Sequence, residues 1–290
     1  MKLGIVGLGR MGAAMSERLR SQGFEVVGWD LNIGANQKLA AGGLRIAANA
    51  CGLAAESEMI ISSITEDHGV RRIFTGSEGF LQADVKGKLF IEMSTLQPMT
   101  GRELAPLVEV CGARLIEAPV LGTIPQVRAG TLFAMVGGRI EDLARARLVL
   151  DKMTRRILHM GPHGSGYAMK LAANVGLGAY VQAIAESLAL GAKQGLALDQ
   201  MLDALSESAT ATGWLKSKTG VLKGEKGDVT LDICTLRKDI MSAVATGALT
   251  GVPLSSGVLA SLSAAVANDC GDGDLAELPK FFREKLPQNF

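Results

Sequence analysis

A chain of 290 residues exceeds one average domain and suggests two, each long enough to bury a core. Its 30 Lys and Arg residues nearly balance 29 Asp and Glu residues, so no overall field draws it to nucleic acid or an anionic membrane surface, and a small molecule is the expected partner. Only a few apolar residues open the chain, and a first strand needs them, so they are not expected to serve as a secretory leader.

In chain order, Leu3 to Val6 reads as a buried strand, Met11 to Ser21 as the helix after it, and Phe24 to Trp29 as a second strand, together a βαβ unit. Gly7, Leu8, Gly9, Arg10, Met11 and Gly12 occupy its first turn in the pattern G-x-G-x-x-G. A pyrophosphate needs that arrangement, because it must approach backbone N–H groups at a helix N-terminus, where unpaired donors and the dipole favour negative charge. Gly7 permits the tight turn, a side chain at Gly9 would block the approach, and Gly12 lets the helix lie close to the strand. Asp30 closes the second strand at nearly the ~20-residue spacing from which a carboxylate accepts hydrogen bonds from an adenosine ribose. It would repel a 2′-phosphate, and neither Leu31 nor Asn32 supplies an arginine to receive one. NAD(H) is therefore expected in preference to NADP(H), with NADP(H) left open.

Further strands are expected at Met59 to Ile64, Leu89 to Glu92, Arg114 to Glu117, Leu132 to Val136 and Arg156 to Leu158. Their alternation with helices predicts an α/β Rossmann domain with a mainly parallel sheet and helices on both faces. Gly161-Pro-His-Gly-Ser-Gly166 then punctuates the chain, so a dinucleotide-binding domain is expected over 1–163 and an all-helical substrate and dimerisation domain over 164–290. A long interdomain helix, with helical spacing from Tyr167 to Leu190, joins them. Other helices are expected near Asp199 to Ser208, Asp228 to Thr246 and Ser256 to Asn268, while the tail from Lys280 carries no signal. Ala172, Ala173, Gly176, Gly178 and Ala179 suit close packing against other helices and a second subunit. No run of about 18 apolar, uncharged residues demands a bilayer. The stretch around Leu171 to Ala192 comes nearest, and its interruptions by Asn174, Gln182, Glu186 and Lys193 read as a helix buried between protein surfaces.

Cys51, Cys111, Cys234 and Cys270 are widely spaced, with no C-x-x-C pair and no clustered histidines, so neither a metal site nor a disulfide framework is expected, and free, partly buried thiols in a reducing cytoplasm are. Lys170 is the candidate for proton management, since an ammonium can donate to a carbonyl oxygen, stabilise a developing alkoxide and deliver a proton. Asn174 follows at i+4 on the same helical face and can orient the lysine or a substrate. Spacing alone reads equally well as an ordinary snorkelling lysine with an asparagine nearby. Taken alone, too, Lys238-Asp239 is a surface pair and Thr95 a helix N-cap.

Four ordered segments together resemble the β-hydroxyacid dehydrogenase family, which includes 3-hydroxyisobutyrate dehydrogenases, tartronate semialdehyde reductases and glyoxylate/succinic semialdehyde reductases. Gly4 to Met15 is similar to the family's cofactor turn, and Glu117-Ala-Pro-Val-Leu-Gly-Thr123 with Ala129 to Leu132 and Met135 to Gly138 to its substrate-binding segment. Gly164 to Asn174 resembles its catalytic helix, and Leu236-Arg-Lys-Asp239 its Lys-Asp motif.

The resemblance implies hydride transfer between NAD(H) and a small β-hydroxy acid or its semialdehyde or keto partner. Lys170 would be the general acid/base and Asn174 its partner at the substrate. Lys238 would reach the cofactor side, and Asp239 would border the substrate or hold Lys238. Ser94 and Thr95 would lie beside the nicotinamide, with Ile64 and Thr65 near the adenosine ribose and phosphates. A homodimer or homotetramer is also implied. Two departures stand out: Leu121-Gly122-Thr123 replaces the usual Ser-Gly-Gly, and Leu231 stands where an aromatic side chain is common. Both would admit a bulkier or less polar group, which keeps reductases of larger semialdehydes or imines as an alternative, alongside a non-catalytic NAD-binding protein.

Overall fold

The computed structural model describes residues 1–247 and 251–285. The chain divides into two compact units, Met1–Leu171 and Ala172–Phe290. That division falls inside a helix, beyond the 163/164 boundary expected from the glycine punctuation, because the first turns of the helix pack on the first unit: Tyr167 is fully buried in one of its cores.

The first unit begins β1 (Lys2–Val6), α1 (Arg10–Ser21), β2 (Glu25–Trp29), α2 (Ile33–Ala41), β3 (Arg45–Ile46), α3 (Ala50–Glu56) and β4 (Met59–Ser62). It continues α4 (Asp67–Thr75), β5 (Leu89–Glu92), α5 (Pro98–Val110), β6 (Arg114–Glu117), β7 (Val120–Leu121) and α6 (Ile124–Ala129). β8 (Leu132–Gly138), α7 (Ile140–Leu150), β9 (Thr154–Gly161) and the start of α8 (Ser165–Lys193) complete it. The strands lie in the order β3-β2-β1-β4-β5-β6-β8-β7, with β9 paired to β8. From β3 to β6 all neighbours are parallel, whereas β8 runs antiparallel to β6 and β7.

The parallel strands are apolar along almost their whole length because both faces are covered. Leu3, Ile5, Ile61, Ile91 and Ile116 feed one core, and Val6, Ile60, Phe90 and Leu115 the other, which Phe74, Phe80 and Tyr167 complete. Register aligns the strand ends in one row across the sheet, Trp29, Val6, Ser62, Glu92 and Glu117. The order reverses between β1 and β4, and in such sheets ligands bind outside the carboxyl ends at that switch point.

The second unit is helical, with the remainder of α8 followed by α9 (Leu198–Glu207), α10 (Gly213–Leu222), α11 (Ile233–Thr246), α12 (Pro253–Ala267) and α13 (Leu278–Lys285). α11 begins later than Asp228, because Asp232 accepts the Thr235 N–H and caps it. Val181, Leu236, Ile240, Val258 and Leu262 form its main core. Gly178 brings α8 close to α11 and α12, since a Cβ there would lie 3.1 Å from Val258 and 3.2 Å from Ile240. By length and composition α8 is apolar enough to cross a membrane, with a mean hydropathy of 1.3 over its most apolar window. Only 28% of that window is buried, and Leu190 is 66% exposed, so within one chain the helix is not enclosed as the sequence suggested.

A buried ion pair ties the helices together. Lys218 Nζ lies 2.8 Å from Asp274 Oδ2, which also accepts the Thr230 N–H at 2.8 Å. Burial pushes the Asp274 carboxyl up, but the hydrogen bonds from Lys218, Ala276 and Thr230 outweigh it and hold the group below its ordinary value. Its contribution to stability is therefore present at neutral pH and is lost as pH falls below the ordinary aspartate range. Lys218→Met leaves this carboxylate buried without its counter-charge and is expected to destabilise the helical unit by about 3 kcal/mol at pH 7. Urea denaturation should show that loss shrinking in acid; an equal loss at every pH would contradict the pairing.

Candidate active site

Three glycines shape the turn between β1 and α1, each for a different reason. Gly7 has φ +88°, and a Cβ there would run into the Ser63 carbonyl, while one at Gly12 would run into the Gly7 carbonyl. A Cβ at Gly9 would meet no protein atom, yet Gly9 lines a cavity of about 420 Å³. Gly9 is also the N-cap of α1 and provides no side-chain cap. The turn thus offers an open cradle at a helix N-terminus, the arrangement a pyrophosphate requires.

Asp30 stands beside it at the end of β2 and lines the same cavity. Its Oδ2 accepts the Leu8 N–H at 2.6 Å and its Oδ1 the Asn32 N–H at 2.7 Å. The Asn36 side chain brackets the Asp30 backbone, accepting its N–H at 2.8 Å and donating to its carbonyl at 2.7 Å. A carboxylate has about four lone-pair positions, so two remain for ribose hydroxyls. Ile64 and Thr65 line the same cavity, as do Trp29, Leu31, His68 and Arg72.

Beneath this wall lies a buried polar network. Ser62 donates to Glu92 Oε2, the Ser94 N–H donates to Glu92 Oε1 at 2.8 Å, and the Ile64 N–H donates to Ser94 Oγ at 2.7 Å. One strand-end carboxylate therefore fixes both the loop after β4 and the loop after β5. Burial pushes the Glu92 carboxyl up to about 7; the hydrogen bonds from Ser62 and Ser94 oppose the rise, and the Glu117 charge adds to it.

The other expected residues are placed as follows. Leu8 is buried and Met11 packs on the same core, so their backbone rather than their side chains faces the turn, while Arg10 is exposed. Thr95 is not a helix N-cap: α5 starts at Pro98 with Gln97 in that position. Leu121 ends β7, and Gly122 has φ +127° with Leu132 and Gln126 against the position a Cβ would take. Thr123 is the N-cap of α6, and its hydroxyl donates to Gln126 Oε1 at 2.7 Å, leaving that oxygen to act only as an acceptor. Lys170 is half-buried near the end of the first unit.

In the second unit Asp239 is 2% exposed and gathers two expected residues. Asn174 Nδ2 donates to its Oδ2 at 2.6 Å, and Lys238 Nζ lies 2.6 Å from its Oδ1. Lys238-Asp239 is thus not a surface pair. Leu231 is half-buried and packs on the main helical core. Sequence reasoning missed Glu92, Ser62, Asn36, Arg72 and His68. An acid at the end of an otherwise apolar strand was the available signal for Glu92; the others carry none that sets them apart.

Residues 2–161 match the family described as the NAD binding domain of 6-phosphogluconate dehydrogenase, and residues 164–281 the NAD-binding family of NADP-dependent 3-hydroxyisobutyrate dehydrogenase. The chain is 40% identical over 195 residues to 3-hydroxyisobutyrate dehydrogenase of Pseudomonas aeruginosa, an alignment spanning 67% of this chain and 65% of that one. It is 36% identical over 212 residues to a probable 3-hydroxyisobutyrate dehydrogenase of Mycobacterium tuberculosis, spanning 73% of this chain and 71% of that one. Among solved structures, M. tuberculosis 3-hydroxyisobutyrate dehydrogenase with L-serine superposes with a TM-score of 0.85 at 31% identity, covering 97% of this chain and 99% of the other. An imine reductase from Myxococcus stipitatus shares the fold, with a TM-score of 0.67 at 17% identity over 97% of this chain and 99% of that one.

Glu92 makes the stability of the first unit depend on pH. Its folded value lies above its ordinary 4.5, so its contribution is fully present below that value and is lost as pH rises through about 7. Glu92→Gln should remove that decline, narrowing its stability difference from wild type by on the order of 2 kcal/mol between pH 4.5 and 7.5. Denaturation curves across that range check it, and parallel pH dependences would contradict the buried, proton-holding carboxyl.

Proposed function

Because the chain belongs to the β-hydroxyacid dehydrogenase family, we propose that it is an oxidoreductase that interconverts a small β-hydroxy acid and its semialdehyde or keto partner, with NAD(H) as cofactor and Lys170 as general acid/base. The observation that carries the reading is the cavity at the sheet's switch point, walled by the glycine turn on one side and by the Asp30 carboxylate on the other. Curated relatives named 3-hydroxyisobutyrate dehydrogenase, and a structural neighbour solved with L-serine, itself a β-hydroxy acid, support the substrate class.

When bound, the nicotinamide supplies or accepts the hydride. The chain's own residues do the rest. The turn over Gly7, Leu8, Gly9, Arg10, Met11 and Gly12 receives the pyrophosphate on backbone N–H groups. Asp30 takes the ribose hydroxyls and disfavours a 2′-phosphate, and Ile64 and Thr65 flank it in the cavity. Ser94 is buried and holds the Ile64 N–H, and Thr95 is assigned to the nicotinamide. The Lys170 ammonium donates to the substrate carbonyl oxygen and gives it a proton as the alkoxide forms; in the oxidative direction the neutral amine takes the hydroxyl proton. Asp239 accepts from Asn174 and pairs with Lys238, which fixes the Asn174 amide and leaves its oxygen to accept a hydrogen bond from substrate or lysine. Leu121, Gly122 and Thr123 are assigned to the substrate, as is Leu231.

Lys170→Met is expected to lower kcat/KM by two to four decades, the usual worth of a general acid/base, with NADH affinity kept. The assay panel is 3-hydroxyisobutyrate, L-serine, glyoxylate, succinic semialdehyde and a cyclic imine, each with NAD(H) and NADP(H). An unchanged rate removes the lysine from the mechanism. Imine reduction without hydroxy-acid oxidation would transfer the reading to larger substrates, and tight NADH binding with no turnover would make the protein a non-catalytic binder. We also propose a homodimer or homotetramer, supported by the largely uncovered apolar α8. Light scattering should give a multiple of the chain mass, and a clean monomer contradicts it.

A further inference from the structure

Glu117 ends β6 with 0% exposure, beside Glu92 in the row of strand ends. Its Oε1 accepts the Gly164 N–H, the residue immediately before α8. Three elements give up their side chains to make room for this carboxylate. A Cβ at Gly101 on α5 would collide with Oε1, one at Gly137 on β8 would collide with Oε2, and one at Gly166 on α8 would lie 3.3 Å from Oε2. Gly164 itself has φ +92°, a conformation that favours glycine and aims its N–H at the acid.

The first turn of α8 contains no acidic residue of its own. The negative group that an N-terminal helix turn favours is therefore delivered from the sheet. Two further side-chain contacts meet at this junction, Arg102 Nε to the His163 carbonyl, exposed and long at 3.4 Å, and His163 Nδ1, which lies 3.7 Å from Glu117 Oε1. Packing alone does not explain a dehydrated carboxylate here, since an apolar side chain would fill the space at less cost. What the carboxylate adds is a directional anchor at one end of a stiff helix.

Lys170 lies less than two turns along that helix, roughly 9 Å beyond the anchor at 1.5 Å per residue. We propose that Glu117 is a positioning residue for the reaction: its carboxylate pins the N-terminus of α8 to the carboxyl end of β6 and so sets where the Lys170 ammonium stands. This rests on the reading of Lys170 as the general acid/base. A displacement of about 1 Å in a catalytic group can cost as much as a hundredfold in rate. Shortening the anchor by one methylene, about 1.5 Å, is a change of that size.

The test is a double-mutant cycle on the full-length enzyme, with Glu117→Asp made in the wild-type and Lys170→Met backgrounds and read by kcat, KM and NADH affinity. Glu117→Asp is expected to lower kcat about tenfold with KM and NADH affinity within twofold of wild type. In the Lys170→Met background the same change should cost less than twofold, because the group it positions is gone. A purely structural role would lower both backgrounds equally and overturns the proposal, as does a wild-type kcat in Glu117→Asp. A fully active Lys170→Met protein overturns both this proposal and the reading it rests on, and so differs from failure of the anchor alone, where Lys170→Met is slowed by decades and Glu117→Asp is silent. If Glu117→Asp fails to bind NADH, Glu117→Gln, which keeps the chain length and one acceptor oxygen, is measured in the same cycle. Its expected loss is about threefold in wild type and none beside Lys170→Met; equal losses again overturn the proposal.

Discussion

Carboxylates at the carboxyl ends of strands, each held by the backbone N–H of a following loop, are the constraint around which the first unit is arranged. Asp30 after β2 holds the Leu8 and Asn32 N–H groups, Glu92 on β5 holds that of Ser94, and Glu117 on β6 holds that of Gly164. A buried acceptor left unpaired costs more than the bond is worth when made, so each acid forces its loop into one conformation. Loops are ordinarily the variable part of such a sheet. Here the turn after β1, the loop after β5 and the entry to α8 are all referred back to strand ends whose positions the ladder has already set.

The same device produces two different electrostatic outcomes. Asp30 is half-buried and lines the cavity, so it keeps contact with the space a ligand would enter. Glu92 is fully buried, and dehydration outweighs its hydrogen bonds from Ser62 and Ser94 and raises its carboxyl to about 7. Tyr167, on the same face of the sheet, is pushed up by burial first and then by the Glu92, Glu117 and Asp67 charges. The cavity wall is thus backed by a layer in which protons are held more tightly than in water. In the second unit Asp239 plays a comparable part by joining Asn174 on α8 to Lys238 on α11, and the Lys218–Asp274 pair joins α10 to the loop before the last helix.

Much of this was legible in the sequence where pattern and backbone demand coincide. The glycine turn could be read because each glycine answers a separate steric requirement, and the parallel strands because burial on both faces makes them continuously apolar. β3 and β7, two residues each, are too short to show a period, and their pairing comes from neighbouring strands rather than from propensity. α10 has lysines, a serine and threonine among its apolar positions, and its mixed character hides the buried Lys218 that makes sense only beside Asp274. Asp228 competes with Asp232 for the start of α11, since two aspartates before one apolar run are equivalent on paper, and only Asp232 caps the helix. Glu92 and Glu117 look like ordinary strand ends. Ser62 and Gly164, which they meet, lie 30 and 47 residues away, and no local pattern records such a meeting.

The segment Leu121-Gly122-Thr123 shows what a family motif keeps when its residues change. Gly122 retains a positive φ and a position closed to any side chain by Leu132 and Gln126, so the backbone path of the segment survives the loss of the usual serine and second glycine. Thr123 does carry a hydroxyl two positions on, but its proton is committed to Gln126, which also accepts the Thr123 N–H at 2.9 Å. Turning that proton elsewhere would forfeit the bond to Gln126, typically about 1 kcal/mol. Leu121 meanwhile presents a half-buried apolar side chain where a donor is usual. Loss of a hydrogen-bonding group discriminates far more strongly than a change in apolar bulk, which is worth only about 1–3 kcal/mol per methylene. The departures therefore weigh on polar recognition in this segment more than on its shape.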